Sequence, residues 1–216
     1  MPVSLQRTSV TGTEPVTLDE MKAHLRVDFT DDDDLITALI VAARERAEAI
    51  TGRTITASSW LYSLDSFPYN WQLETAPARS TLSRFVDWWA NAQAIQLPQG
   101  PLINVTSVNY IPSFTSSAYT TLDPSLYIVD NVSTPPMIYP TANYYWPSVW
   151  AIHNAVQISF TAGYSDPNPV PEGIKVAIRM MVGGWYENRE DSGDVPKVAE
   201  YLLSSHKIQS CGYVGR

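Results

Sequence analysis

Three histidines, one cysteine and a short acidic run are the residues whose chemistry comes first. His24, His153 and His206 stand far apart with no metal-ligand spacing, and Cys211 has no second cysteine for a Cys-x-x-Cys pair. There is no His-Glu-x-x-His motif, so no metal centre is expected. The carboxylates from Asp28 to Asp34 invite a calcium-loop reading. An EF-hand loop wants glycine at its sixth position and glutamate at its twelfth. Counted from Asp28, those places hold Asp33 and Leu39, and an acidic helix start explains the run better. Gly163-Tyr164-Ser165 lacks the second glycine of a nucleophile elbow. No glycine-rich phosphate loop is present either. Neither catalytic residues nor a cofactor are expected.

Aromatic residues are the other candidates. Trp71, Trp88, Trp89, Trp146 and Trp150, with Tyr144 and Tyr145, could stack on sugars or on single-stranded nucleic acid. A single-strand groove also needs cations. From Thr54 to Ser165 the only bases are Arg79 and Arg84, against Asp65, Glu74, Asp87, Asp123 and Asp130. Filling a small core and its subunit contacts is the plainer use of these rings.

Composition sets the frame. At 216 residues the chain is one domain or two small ones, given ~150 residues per domain. Charged residues make up 17%, where ~25% is usual, while apolar residues reach 44% and aromatics 11%. The formal net charge is −8, which argues against a broad nucleic-acid footprint. A lone cysteine makes no internal disulfide, and Met1 to Gly12 holds no apolar signal core. The longest apolar run, Leu35 to Ala43, falls short of the ~20 residues of a membrane helix. Between Asn131 and Ser165 there is no charged side chain, yet Pro135, Pro136, Pro140 and Pro147 exclude a spanning helix. A soluble protein made in a reducing cytosol is expected.

The elements that would position these residues fall into two classes. Thr17-Leu18-Asp19-Glu20 reads as a capping box opening a short helix with Leu18, Met21 and Leu25 on one face. A long helix follows from the Asp31–Asp34 start, with Leu35, Ile36, Leu39, Ile40, Ala43, Ala47 and Ile50 at the 3.6 period. Arg44, Glu45, Arg46 and Glu48 are expected on its outer face, and Gly52 as its left-handed stop. Near the C-terminus, Pro171 opens a stripe of Ile174, Ala177, Ile178, Met181, Val182 and Trp185. Gly183-Gly184 within it predicts a closely packed backbone. A last helix from Pro196 to about Ser205 is expected to bury Val198, Tyr201 and Leu202. The middle alternates, most clearly over 60–64, 105–110 and 156–160, with shorter runs at 94–97, 119–122, 127–129 and 137–139. A helical excursion over 81–92 could interrupt it. The expected fold is α+β: a discontinuous helical bundle, 1–55 with 166–216, and an inserted small antiparallel β-sandwich over 56–165.

Several of these stretches together resemble a known family. They are Val16 to Asp28 with its Lys-x-x-Leu-Arg, Asp33 to Ile36, Ala42 to Glu48, and Thr51-Gly52-Arg53. Further along come Leu97-Pro98-Gln99-Gly100-Pro101-Leu102, the Phe-x-Ala-Gly-Tyr ending at Tyr164, Val170 to Ile174, and Tyr201 to Leu203. This order is similar to that of the head–tail connector, or adaptor, proteins of tailed bacteriophages and gene transfer agents, in longer members with an inserted β domain. The segment 74–93 departs from the pattern as an insertion, and so does the terminal Ser205 to Ser210.

The resemblance implies a non-enzymatic virion protein of the neck, made in the host bacterial cytoplasm. Copies would form a ring of twelve beneath the portal protein, extend the DNA channel without sequence-specific DNA contact, and present a surface to a neck, stopper or tail-completion protein. No membrane is involved. In such proteins the helices form the ring body and the C-terminal segment reaches the portal. Here that segment, His206 to Arg216, carries bases and no acid, and is expected to order against the portal through Lys207, Ile208, Gln209, Tyr213, Val214 and Arg216. Arg26, Arg44, Arg53 and Trp185 are assigned to subunit packing, with Arg26 and Arg53 pairing with acids of their own or a neighbouring subunit. Low charge and many aromatics suit such a subunit, because interface cores shed charge and gather Tyr and Trp. Three alternatives stay open at this point: a stopper or tail-completion protein one layer lower, a carbohydrate-binding β module, and an enzyme with a dispersed site.

Overall fold

The structure is a computed structural model describing residues 3–68, 93–112, 118–142, 144–150, 152–165, 169–188 and 194–208. In chain order the elements are β1 (Val3–Val10), α1 (Leu18–Leu25), α2 (Asp33–Thr51), β2 (Ser58–Leu64), β3 (Ile95–Gln96) and β4 (Leu102–Tyr110). Then come β5 (Thr120–Thr121), a 3-10 turn (Pro124–Leu126), β6 (Tyr127–Asp130), β7 (Met137–Pro140), β8 (Val156–Ala162), α3 (Glu172–Glu187) and α4 (Lys197–Ser204). The class is α+β. Two compact units result: Val10–Ser58 with Gly163–Arg216, and Met1–Ser9 with Ser59–Ala162. Among the described residues, no helix is long and apolar enough to cross a membrane.

The helical unit is built from local signals. Thr17 Oγ1 accepts the Glu20 amide at 3.2 Å and Glu20 returns the bond to the Thr17 amide, so α1 starts on a complete capping box. Asp33 and Asp34 sit in the first turn of α2, where carboxylates meet the positive end of the helix dipole. Gly52 ends that helix at φ 68°. Ile36, Ile40, Ala43 and Ala47 of α2 pack with Met21 of α1 and with Ile174, Ala177, Ile178, Met181 and Val182 of α3 in one core. The close backbone approach expected at Gly183-Gly184 is absent among the described residues. A Cβ at Gly183 would meet only the His24 and Leu25 side chains at 3.7 and 4.0 Å, and one at Gly184 only the Pro196 ring at 3.8 Å.

Helix α4 is rotated from its expected setting. Ala199 and Leu203 are buried and Leu202 packs partly against the core, while Val198 and Tyr201 are 58% and 78% exposed. Leu202 belongs to both settings; the observed one puts Ala199 and Leu203, both fully buried, into the core in place of Val198 and Tyr201.

The β unit holds a five-stranded sheet in the order β1-β2-β8-β4-β5 and a three-stranded sheet in the order β3-β7-β6. Strand β1 was not expected from the sequence, and it contributes an edge to the larger sheet. In β8, Val156, Ile158, Phe160 and Ala162 are buried at period two while the residues between them are half-buried. Antiparallel pairing sets Phe160 opposite Val105 and Ile158 opposite Val108. In the second sheet Ile138 faces Ile95 on one side and Val129 on the other. One core takes side chains from both sheets, and each of its large apolar members contributes roughly 1.5–3 kcal/mol on burial. The expected excursion over 81–92 lies outside the described residues.

Candidate functional site

The assigned residues divide by burial. Arg44 does not lie on an outer face: its side chain is 3% exposed. Its Nε donates to Glu14 at 3.0 Å, one terminal nitrogen meets Glu48 Oε2 at 3.0 Å, and the other meets Glu45 at 3.5 Å. Glu48 turns its second oxygen to the amides of Ile55 and Thr56, at 2.8 and 3.4 Å. A buried arginine is tolerable only with partners of this kind. The network therefore ties the segment around Glu14 and the chain after α2 to that helix. Trp185 is likewise spent inside the subunit, 9% exposed with its indole N–H donating to the Asp194 carbonyl at 3.0 Å.

Arg26 and Arg53 both close motifs, in different ways. Arg26 adopts φ 57° as the left-handed cap of α1, its amide donating to the Lys22 carbonyl, and its side chain is exposed. Arg53 is held by a backbone carbonyl. Its Nε donates to the His206 carbonyl at 2.5 Å, joining residues 153 positions apart. Beside it the Ile208 amide donates to the Thr51 carbonyl at 2.8 Å. Residues 206–208 are thus docked at the end of α2, with Lys207 exposed and Ile208 half-buried. Gln209, Tyr213, Val214 and Arg216 lie outside the described residues.

Surface chemistry in the β unit is sparse. Trp146 is committed internally: it stacks on Phe67 at 4.8 Å and donates to the Gln93 carbonyl at 2.7 Å. Trp71, Trp88 and Trp89 lie outside the described residues. His153 Nδ1 approaches Asp65 at 3.4 Å, and the Asn154 amide donates to the same carboxylate at 3.0 Å. Bonds from Ser125 hold the Asp123 carboxyl below its ordinary value, and bonds from Ser133 do the same for Asp130. Burial pushes the Tyr62, Tyr127 and Tyr144 phenols up. These groups cap turns and fill the core without converging on one point. Among the described residues, no group of three or more His, Cys, Asp or Glu side chains could hold a metal ion. A cavity of about 430 Å³ in the helical unit is lined by Thr13, Glu14, Ile55, Tyr164, Val170 and Lys175 among others.

Exposed apolar side chains remain. In the helical unit they include Val10, Phe29, Leu35, Val198 and Tyr201; in the β unit Tyr119, Ile128, Val132 and Tyr145.

Residues 15–105 match the family described as "Phage gp6-like head-tail connector protein". No curated protein matches the chain by sequence. Among solved structures, the fold is similar to a chain of the neck of an empty gene transfer agent particle computed with C6 symmetry. The TM-score is 0.71 at 18% identity, covering 95% of this chain and 96% of that one. A chain of the virion of a native gene transfer agent particle matches with a TM-score of 0.71 at 17% identity, covering 95% of both chains. A third, from the neck of a native particle computed with C12 symmetry, matches at 0.64 and 19% identity, covering 95% of this chain and 96% of that one. The fold is shared with these gene transfer agent chains. The family match is confined to residues 15–105, and the solved structures show the fold.

Proposed function

We propose that this chain is a structural neck protein, a head–tail connector without enzymatic activity. Twelve copies form a ring beneath the portal protein, extend the DNA channel, and offer the opposite face to a stopper or tail-completion protein. The observation that carries this reading is the likeness to neck chains over 95% of the sequence, joined to the family match over 15–105. The C12 symmetry of one matching neck supports the copy number. The helical unit, assembled from two separated stretches of the chain, serves as the ring body, and the β unit is a sandwich formed by the stretch between them together with β1. Exposed apolar residues supply the heterologous contacts that a closed ring needs on two flanks. Arg26, exposed at the end of α1, faces a neighbouring subunit. A net charge of −8 lets DNA slide past without being gripped. Residues 207–216 lead to the portal, with Lys207 and Ile208 at the docked base, Gln209 beyond it, Tyr213 and Val214 as apolar anchors and Arg216 as a charge.

The test is direct. Purified protein is mixed with DNA-filled, portal-bearing heads and imaged by electron microscopy. A ring seated on the portal is the expected result; a ring found one layer lower, or no binding to heads, overturns the assignment. Deleting 209–216 is expected to abolish attachment.

A further inference from the structure

The Thr51-Gly52-Arg53 stretch does more than end α2. Thr51 is fully buried; its hydroxyl donates to the Ala47 carbonyl at 2.8 Å and accepts the Arg53 amide at 3.3 Å. Its carbonyl is thereby aimed at the Ile208 amide, 2.8 Å away. Gly52 turns the chain through φ 68°, and a Cβ there would lie 4.0 Å from Ile208 Cβ, so chain and tail run side by side. Arg53 then reaches the His206 carbonyl at 2.5 Å. The imidazole of His206 is pressed against the first turn of α3: a Cβ at Gly173 would sit 2.9 Å from its Nε2. Two hydrogen bonds and one packed ring fix three consecutive residues, just where the chain continues into 209–216.

We infer that Thr51-Gly52-Arg53 is a latch that fixes residues 206–208, the point at which the chain continues into 209–216, for the portal contact. Arg53 is its positioning residue, acting on the portal contact without touching the portal. This rests on the reading of the C-terminal segment as the portal-binding element. A segment launched from a fixed point is held near its target; one freed three residues earlier searches a larger volume and loses effective concentration. The guanidinium bond to a carbonyl is charge-assisted, the stronger kind.

Three full-length proteins and one truncation decide the matter. Arg53→Met keeps the aliphatic stem and removes the donor, Arg53→Lys keeps a donor, and a protein ending at Ile208 lacks the segment. Amide hydrogen exchange of the isolated proteins and attachment to portal-bearing heads are both measured. Arg53→Met is expected to speed exchange at Lys207 and Ile208 roughly ten- to hundredfold, with the amides of Ile40 to Ala47 unchanged. Its attachment to heads falls about tenfold, and Arg53→Lys recovers part of both losses. Unchanged exchange at Ile208 in Arg53→Met overturns the latch. Faster exchange with wild-type attachment, while the truncated protein fails to attach, overturns the positioning role and leaves the portal reading standing. Full attachment by the truncated protein overturns the portal reading, and the positioning role with it.

Discussion

Arg44 and Glu48, one turn apart on α2, form a 3.0 Å ion pair whose side chains are only 3% and 10% exposed. Removing Glu48 leaves the buried Arg44 with Glu14 at 3.0 Å and Glu45 at 3.5 Å, and takes from one terminal nitrogen its close partner. Glu48→Ala also strands the Ile55 amide, which now donates to Glu48 at 2.8 Å. The expected loss is about 3–5 kcal/mol of unfolding free energy, read from urea titrations. A loss below about 1 kcal/mol would show that the network contributes little.

Gly163 stands where no side chain fits. Its φ is +130°, and a Cβ would fall 2.6 Å from Ala57 Cα and 2.7 Å from Ala57 N. Those are backbone atoms and cannot swing aside. Gly163→Ala is expected to cost more than about 2 kcal/mol, seen as a lower thermal midpoint or as insoluble expression. Wild-type stability in that variant would mean the two segments do not touch.

The rotation of α4 makes opposite forecasts for neighbouring residues. Leu203→Ala should cost about 2–5 kcal/mol, because the side chain is fully buried. Tyr201→Ser, at a position 78% exposed, should stay within about 0.5 kcal/mol. Denaturant midpoints of the two variants separate this setting from one that buries Tyr201.

Alkaline pH should weaken the β unit. Burial raises the Tyr62 phenol above its ordinary 10.0, so the unfolded chain gives up this proton first. The contribution is complete below pH 10 and fades as pH rises through the folded value. Urea midpoints taken from pH 9 upward should fall above pH 10, and Tyr62→Phe should shrink that fall. An identical fall in Tyr62→Phe would assign the effect to other groups.

Elements announced by neighbouring residues were legible in the sequence. The Thr17/Glu20 box, the Gly52 stop and the six buried positions of α3 each depend on partners within a few residues, and each is present. The strands with clear alternation, β2, β4 and β8, were legible for the same reason. What escaped depends on distant partners. In β1 only Leu5 and Arg7 turn inward while Ser4, Gln6 and Thr8 are exposed, a pattern weaker than a core strand's. Arg44 reads as a surface residue until Glu14, thirty positions away, is brought to it. Helix α4 is eight residues long, and two turns accommodate either apolar stripe.

The candidate site was legible only in part. Arg53 stood out through its motif, but its partner is a backbone carbonyl, and carbonyls leave no mark in a sequence. Nothing in His206-Lys207-Ile208 announces docking at the end of α2. Trp185 was placed correctly on its helix, and only the packed structure shows its indole turned to Asp194.

The helical core has a consequence for the order of events during synthesis. Its two halves, Val10–Ser58 and Gly163–Arg216, are separated in the chain by Ser59–Ala162 of the other unit. When α2 leaves the ribosome, Ile36, Ile40, Ala43 and Ala47 have no α3 to cover them. Ribosomes add about 5–20 residues per second, so that apolar stripe waits on the order of ten seconds for Met181 and its neighbours. Through that interval the nascent chain displays an uncovered amphipathic helix, a natural client for a ribosome-associated chaperone.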